Sequence, residues 1–365
     1  MARSMIDGGV VPHLHKLAGI MIVCAFVAGL FLAPDRERPA TQAAGSAPGG
    51  PAAAKPARPA PRPPAKIGVA SATAKRVRAN ELGEIPVLMY HRIVPKVETS
   101  LDRTPAELRA ELEQLAKGGY VPITAAEFVS GRFNVPAGRH PVVLTFDDAS
   151  PSQFGLDGHG NPNRDSAVAI LDEVGKRHPG FRPVATFFIN AEPFQLAERA
   201  GPGLRWLRQR GHEIANHTFT HADLSRLSRE KVEEEISRVE SLIVSLGGAH
   251  ATTLAFPFGS APKKPEWARR KAGAYEFQGL FLAGWRPSPS PFSTDFDRTA
   301  ISRIRSKGKI KEGDCMKFCS TAWLEWLDKN PGKRYTSDGD PKTIAFPAME
   351  SDRLHKGLLA WGRSY

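Results

Sequence analysis

From Glu84 onward the chain alternates short runs of consecutive apolar residues with longer stretches in which apolar positions recur every three or four residues. The short runs predict strands at Ile85–Tyr90, Val142–Phe146, Val184–Ile189, Glu213–Asn216, Thr253–Phe256, Leu280–Ala283 and Ala300–Ile304. Thr104-Pro105-Ala106-Glu107 is a capping box with Pro at the first helical position, and it opens a helix that stops near Gly118-Gly119. Arg164–Lys176 and Gly203–Arg210 are further helix candidates. The clearest helix is Ser228–Leu246, where Val232, Ile236, Val239, Ile243 and Leu246 form one apolar stripe that Gly247-Gly248 ends. Near-continuous apolar strands separated by helices predict an α/β fold with a parallel sheet covered on both faces. About seven such units suggest a barrel, whose chemistry collects at the C-terminal ends of its strands.

Ahead of Glu84 the pattern changes. Leu17–Ala33 is apolar and free of charge, long enough to span a bilayer, and Arg3 and Lys16 before it predict a cytoplasmic N-terminus. Pro34 follows directly and Thr41-Gln42-Ala43 is a distant cleavage candidate, so residues 1–33 are expected to be an uncleaved membrane anchor rather than a signal peptide. Residues 34–80 are mostly Ala and Pro with scattered Lys and Arg, a composition that predicts a disordered, extended linker. A catalytic domain at 81–330 and a C-terminal extension at 331–365 complete the expected organisation.

The linker also carries most of the charge. Residues 34–80 hold nine Lys/Arg against two Asp/Glu, a net +7, and residues 1–33 add +1, so the formal +12 leaves +4 for 81–365. No nucleic-acid partner is expected on that balance. A basic tether suits anionic lipid or cell-wall polymers, or is merely solvated. Cys315 and Cys319 form C-x3-C, either a local disulfide outside the cytoplasm or free thiols.

The run Val142–Phe146 ends in Asp147-Asp148, and the run ending at Asn216 continues into His217-Thr218-Phe219-Thr220-His221. Taken singly, each has an ordinary reading: a carboxylate capping a helix, or surface histidines four apart. At two strand ends of one sheet they combine into something more specific. One carboxylate and two imidazoles make an open three-ligand set for a divalent cation, and the second carboxylate remains as a base for metal-assisted hydrolysis.

Thr145-Phe146-Asp147-Asp148, then Asn216-His217-Thr218-x-x-His221, then Phe256-Pro257-Phe258-Gly259 resemble the ordered signature motifs of the polysaccharide deacetylases, the family-4 carbohydrate esterases built on the NodB-type domain. The likeness spans about Pro86 to Ile304, and Val87-Leu88-Met89-Tyr90-His91 resembles the opening strand of the branch acting on poly-N-acetylglucosamine. The resemblance implies a distorted (β/α)7 barrel of the NodB type. It implies Asp147 as catalytic base, and Asp148, His217 and His221 as ligands to a divalent metal, zinc first, with cobalt or nickel also accepted. The backbone N–H of Phe258 matches the position that helps hold the oxyanion, and His91, past the first strand, is a candidate to protonate the leaving amine.

The departures from the family pattern point to further positions. Many members carry Arg ahead of the Pro-aromatic-Gly motif, where this chain has Leu254-Ala255-Phe256; Arg303 is the candidate to pair with Asp147 instead. The late Leu-x-His motif has no clear match, which raises the weight on His91, and Ala149 replaces the usual Gly after the Asp pair. The polar loop Ser150–Asn163 reads as substrate-facing, with an ion loop as the lesser reading, and Trp285 is a candidate to stack on a sugar ring. The expected function is a membrane-tethered, metal-dependent N-deacetylase, its catalytic domain outside the cytoplasm (periplasm or cell surface) and its substrate an acetylated polysaccharide such as poly-N-acetylglucosamine, peptidoglycan or a chitin-like glycan. A catalytically silent glycan-binding domain and an amidohydrolase of small non-sugar amides are the alternatives.

Overall fold

The computed structural model describes residues 66–308, 310–311 and 315–365. Eight strands form one sheet: β1 (Val87–Tyr90), β2 (Tyr120–Ile123), β3 (His140–Phe146), β4 (Thr186–Ile189), β5 (Glu213–Asn216), β6 (Thr253–Ala255), β7 (Gly279–Phe281) and β8 (Ile304–Arg305). The order is β7-β6-β5-β4-β3-β1-β8, with β2 paired to the first half of β3. Every pairing in it is parallel. Between the strands lie α1 (Pro105–Lys117), α2 (Ala125–Ser130), α3 (Ala167–Arg177), α4 (Ala200–Gln209) and α5 (Arg229–Ser245). The capping box of α1 is formed in both directions, Glu107 N to Thr104 Oγ1 at 3.1 Å and Thr104 N to Glu107 Oε2 at 2.8 Å.

The sheet curls until one segment meets both ends of the strand order. Ile301 exchanges backbone hydrogen bonds with β7, its N–H to Leu280 O at 2.9 Å and Leu282 N–H to its own carbonyl at 2.8 Å. Three residues later Ile304 pairs with Leu88 of β1. The strand expected over Ala300–Ile304 is therefore split, with a single bridge at Ile301 and regular pairing only at Ile304–Arg305.

Side-chain alternation sorts the strands into two packed faces. Leu88, Leu144, Phe187, Ile214, Leu254 and Leu280 belong to one buried cluster. Their immediate neighbours Val87, Val143, Phe188, Ala215, Ala255 and Phe281 belong to a second. Both faces are dry, which is why the strands read as continuous apolar runs. The same period of two carries past the strand ends. Positions 87 and 91, 143 and 147, 215 and 217, and 301 and 303 share the second face, so His91, Asp147, His217 and Arg303 all continue onto it.

The N-terminal boundary of the folded part lies earlier than expected. Residues 68–80, read as linker, form a strand (Gly68–Val69) and a helix (Ala72–Arg76) capped by Ser71. The strand joins Gly362–Ser364, which in turn pairs with Ile344–Phe346, so the extension 331–365 shares one small parallel sheet with residues 68–69. Alanines that look like linker composition serve here as small core residues: Ala74, Ala79 and Ala345 are fully buried together. The expected anchor 1–33 and residues 34–65 of the expected linker lie outside the described residues; among those described, no helix is long and apolar enough to cross a membrane.

Glu81 ties this small sheet to the rest. Its carboxyl accepts from Ala345 N at 2.7 Å and Tyr335 Oη at 3.0 Å. Burial and the Asp338 carboxylate push its pKa up to about 8, outweighing the hydrogen bonds that pull it down. The folded chain then holds a proton that the unfolded chain has lost above about 4.5. Its contribution to stability is complete below pH 4.5 and gone above about 8. Thermal melts should accordingly fall across that window, and in Glu81→Gln, which mimics the neutral acid, this component should vanish. An unchanged pH slope in the variant would contradict the assignment.

Candidate active site

Asp147 ends β3 on the inner face and meets Arg303 head on. Arg303 Nη1 donates to Asp147 Oδ1 at 2.7 Å and Nη2 to Oδ2 at 2.8 Å, a two-pronged pair with neither side chain exposed. The guanidinium is itself aimed, its Nε donating to Leu282 O at 2.7 Å and Nη1 to Thr145 Oγ1 at 3.2 Å. Burial pushes the Asp147 carboxyl upward, but Arg303, His217 and His91 together hold it well below the usual carboxylate range. Asp147 is thus ionised, dry and fixed in direction.

Asp148 should alternate to the opposite face of β3. It does not, because its φ of 72° places it in the left-handed region, which turns its carboxylate back toward the same site. His217 Nε2 lies 3.5 Å and His221 Nε2 3.4 Å from the same oxygen, Asp148 Oδ1. That oxygen is buried and has no hydrogen-bond partner. His217 Nδ1 lies 2.8 Å from Ala255 O, so it carries the proton and leaves the Nε2 lone pair facing inward. Ligand atoms of Asp148, His217 and His221 all fall within 4.8 Å of one another. An orphaned buried carboxylate oxygen facing two imidazole nitrogens is the arrangement a divalent cation would complete, and the residues fit that group. Burial lowers the His217 pKa, yet Asp147 and Asp148 raise it on balance above the ordinary value: the local field attracts positive charge.

The remaining expected positions surround this centre. His91 is half-buried, its Nε2 3.9 Å from Asp147 Oδ2, and desolvation lowers its pKa against the pull of the two carboxylates. Phe258 has φ 59° and its exposed ring stands edge-on to His221, centroids 4.6 Å apart, which brings the Pro257–Gly259 turn to the rim of the site. All the expected site residues are therefore brought together, Phe258 at the edge.

The family model for polysaccharide deacetylase matches residues 134–277, the stretch that carries Asp147, Asp148, His217, His221 and Phe258. This stretch matches the polysaccharide deacetylase family. Relatives with this domain include the peptidoglycan-N-acetylglucosamine deacetylase of Bacillus cereus, 25% identical over 42% of this chain and 50% of that one. A chitooligosaccharide deacetylase of Sinorhizobium fredii is 33% identical over 46% of this chain and 65% of its own. The chain thus spans about half the length of the first of these relatives. Among solved structures, the Streptococcus pyogenes deacetylase PplD in complex with acetate superposes with a TM-score of 0.50 at 18% identity, covering 65% of this chain and 98% of that one, a likeness of fold.

Several residues that hold this site together carry no sequence motif. Gln153, fully buried, donates to Asp147 O at 2.6 Å and His91 O at 3.0 Å, stapling β1 to β3 just past their ends. Asn190 donates to both His217 O and Thr218 O at 2.8 Å. Asn216 accepts from Thr218 N at 2.9 Å and donates to the buried Glu240 at 2.8 Å. A buried amide is legible only as polarity in an apolar context, and each sits in a loop or at a strand end where polarity is ordinary. Asp148, Ala149, Thr218, His221 and Phe258 all have positive φ, a cluster of backbone strain costing about 1–3 kcal/mol each. Ala149, at φ 46°, occupies a conformation that the family's usual Gly adopts more easily. In the loop 150–163, Asp157 Oδ1 accepts from His159 N at 2.8 Å and Asn161 N at 2.9 Å, so this carboxylate closes a local turn.

Proposed function

We propose that this chain is a metal-dependent N-deacetylase of an N-acetylated glycan, built on the distorted (β/α)7 barrel of the NodB type. The observation that carries the reading is an ionised Asp147, locked by Arg303, whose Oδ2 lies 3.8 Å from His217 Nε2 in the three-ligand cluster. The chemistry such an ion supplies when bound is polarisation of a carbonyl and acidification of water; zinc, cobalt and nickel all accept a carboxylate with two imidazoles.

The chain's own residues account for the proton movements. Asp147 takes the proton of the attacking water, whose oxygen adds to the acetyl carbon. Arg303 keeps Asp147 charged and pointing at that water. The Phe258 N–H supports the oxygen that gains charge as the carbonyl becomes tetrahedral. When the C–N bond breaks, His91, its Nε2 3.9 Å from Asp147 Oδ2, is positioned to pass the proton that Asp147 took from the water on to the departing nitrogen, leaving acetate and a free amine on the sugar. The relatives named as peptidoglycan-N-acetylglucosamine and chitooligosaccharide deacetylases support glycans bearing N-acetylglucosamine as the substrate class. An action outside the cytoplasm, tethered through the apolar stretch 17–33, fits the disulfide between Cys315 and Cys319, a bond suited to oxidising compartments.

The test is acetate release from a panel of acetylated glycans, with metal content measured on the same samples. Wild-type protein loaded with zinc should release acetate. His217→Ala and His221→Ala should retain at least about tenfold less metal and lose activity with it. No release from any glycan by metal-loaded wild type, or full metal retention in both variants, would sink the reading.

A further inference from the structure

Beyond the catalytic centre, the chain that follows β7 leads from the Arg303–Asp147 pair to an aromatic surface. Leu282 O holds Arg303, and a Cβ at Gly284 would fall 2.7 Å from Arg303 N, so the chain following β7 runs along the back of the Arg303–Asp147 pair. The next residue is Trp285, 61% exposed. Its ring stands edge-on to Phe318, centroids 5.4 Å apart, and its carbonyl accepts from Trp323 Nε1 at 2.7 Å. Trp323 in turn meets Trp326 edge-on at 5.5 Å. Met316, Phe318, Trp323 and Trp326 line a groove of about 370 Å³, flanked by Lys317 and Lys329, and Trp285 stands beside it against Phe318. The disulfide between Cys315 and Cys319 joins the start of the short helix Cys315–Phe318 to the cap of the helix Ser320–Lys329, so the rings are held by a covalently pinned turn.

Single exposed apolar residues are ordinary, but a contiguous patch of large rings marks a binding surface. Its composition suits sugars: flat aromatic faces for the C–H faces of pyranose rings, with charged groups at the edge for hydroxyls. We propose that this array is an extended subsite for sugar rings neighbouring the one that is deacetylated, so that the substrate is a glycan polymer rather than a short oligomer. The inference rests on the deacetylase reading and deepens it.

The experiment measures binding of N-acetylglucosamine oligomers, from dimer to hexamer, to the full chain, alongside acetate release by the wild type. Wild-type affinity should rise with length. Trp285→Ala and Trp326→Ala should lose about tenfold on the hexamer and much of the length dependence, while Trp326→Phe, which keeps a ring face, recovers most of it. Trp361→Ala, an exposed indole beside the small C-terminal sheet, is the control and should match wild type. Hexamer binding unchanged in both Ala variants, or an equal loss at every length, would overturn the subsite. Length-dependent binding without acetate release from any glycan would instead overturn the chemistry, and the two failures are thereby told apart.

Discussion

Asp147→Asn should lower acetate release by about a hundredfold to ten-thousandfold, the range for removing a general base, while metal content stays at the wild-type level. Asp148→Asn should do the reverse in order, losing metal first and activity as a result. The distinction follows from backbone geometry. Asp147 is on the inner face by strand alternation and engaged by Arg303 through both oxygens. Asp148 reaches the site only through its left-handed φ of 72° and offers an oxygen that nothing else occupies. Paired measurements of kcat and bound metal on both variants check this. Equal metal loss in the two would show that the roles had been divided wrongly.

Arg303→Met should destabilise the fold by about 3–5 kcal/mol, because it strands a buried carboxylate with no counter-charge. For a domain of this size that corresponds to a fall in melting temperature of roughly 10 °C. Arg303→Lys keeps the charge but not the two-pronged geometry, so it should restore part of the stability and little of the activity. Asp147→Asn combined with Arg303→Met removes both charges at once, and its melting temperature should lie above the sum of the two single losses. Strict additivity would mean that the pair contributes no coupling, against the distances of 2.7 and 2.8 Å.

Much of this site is written locally. The strand ends at Phe146 and Asn216 follow from runs buried on both faces, and the residues immediately after them are the chemical ones, so alternation alone places Asp147 and His217. Arg303 was reachable only as a replacement for a missing arginine, since nothing near position 303 signals a partner 156 residues earlier. The strand β2 is hidden in the sequence by Pro122, which argues against a strand; Pro122 is tolerated because β2 pairs only with β3 and so lies at an edge. The start of the folded part at residues 68–80 is hard to read from composition for a related reason. Alanine contributes little to an apolar pattern, yet at close-packed positions such as Ala74 and Ala79 small size is what the packing needs.

The segment Ile301–Ser306 has one further consequence. It joins β7 to β1, and the same few residues deliver the guanidinium that pairs with Asp147, the proposed base. Contacts between residues so far apart in sequence form only once the loop between them has closed. A nascent or partly unravelled chain can therefore present its carboxylates and histidines without owning a competent base. Catalytic competence arrives as the ring of strands is completed, and amide exchange along 301–306 would report both events at once.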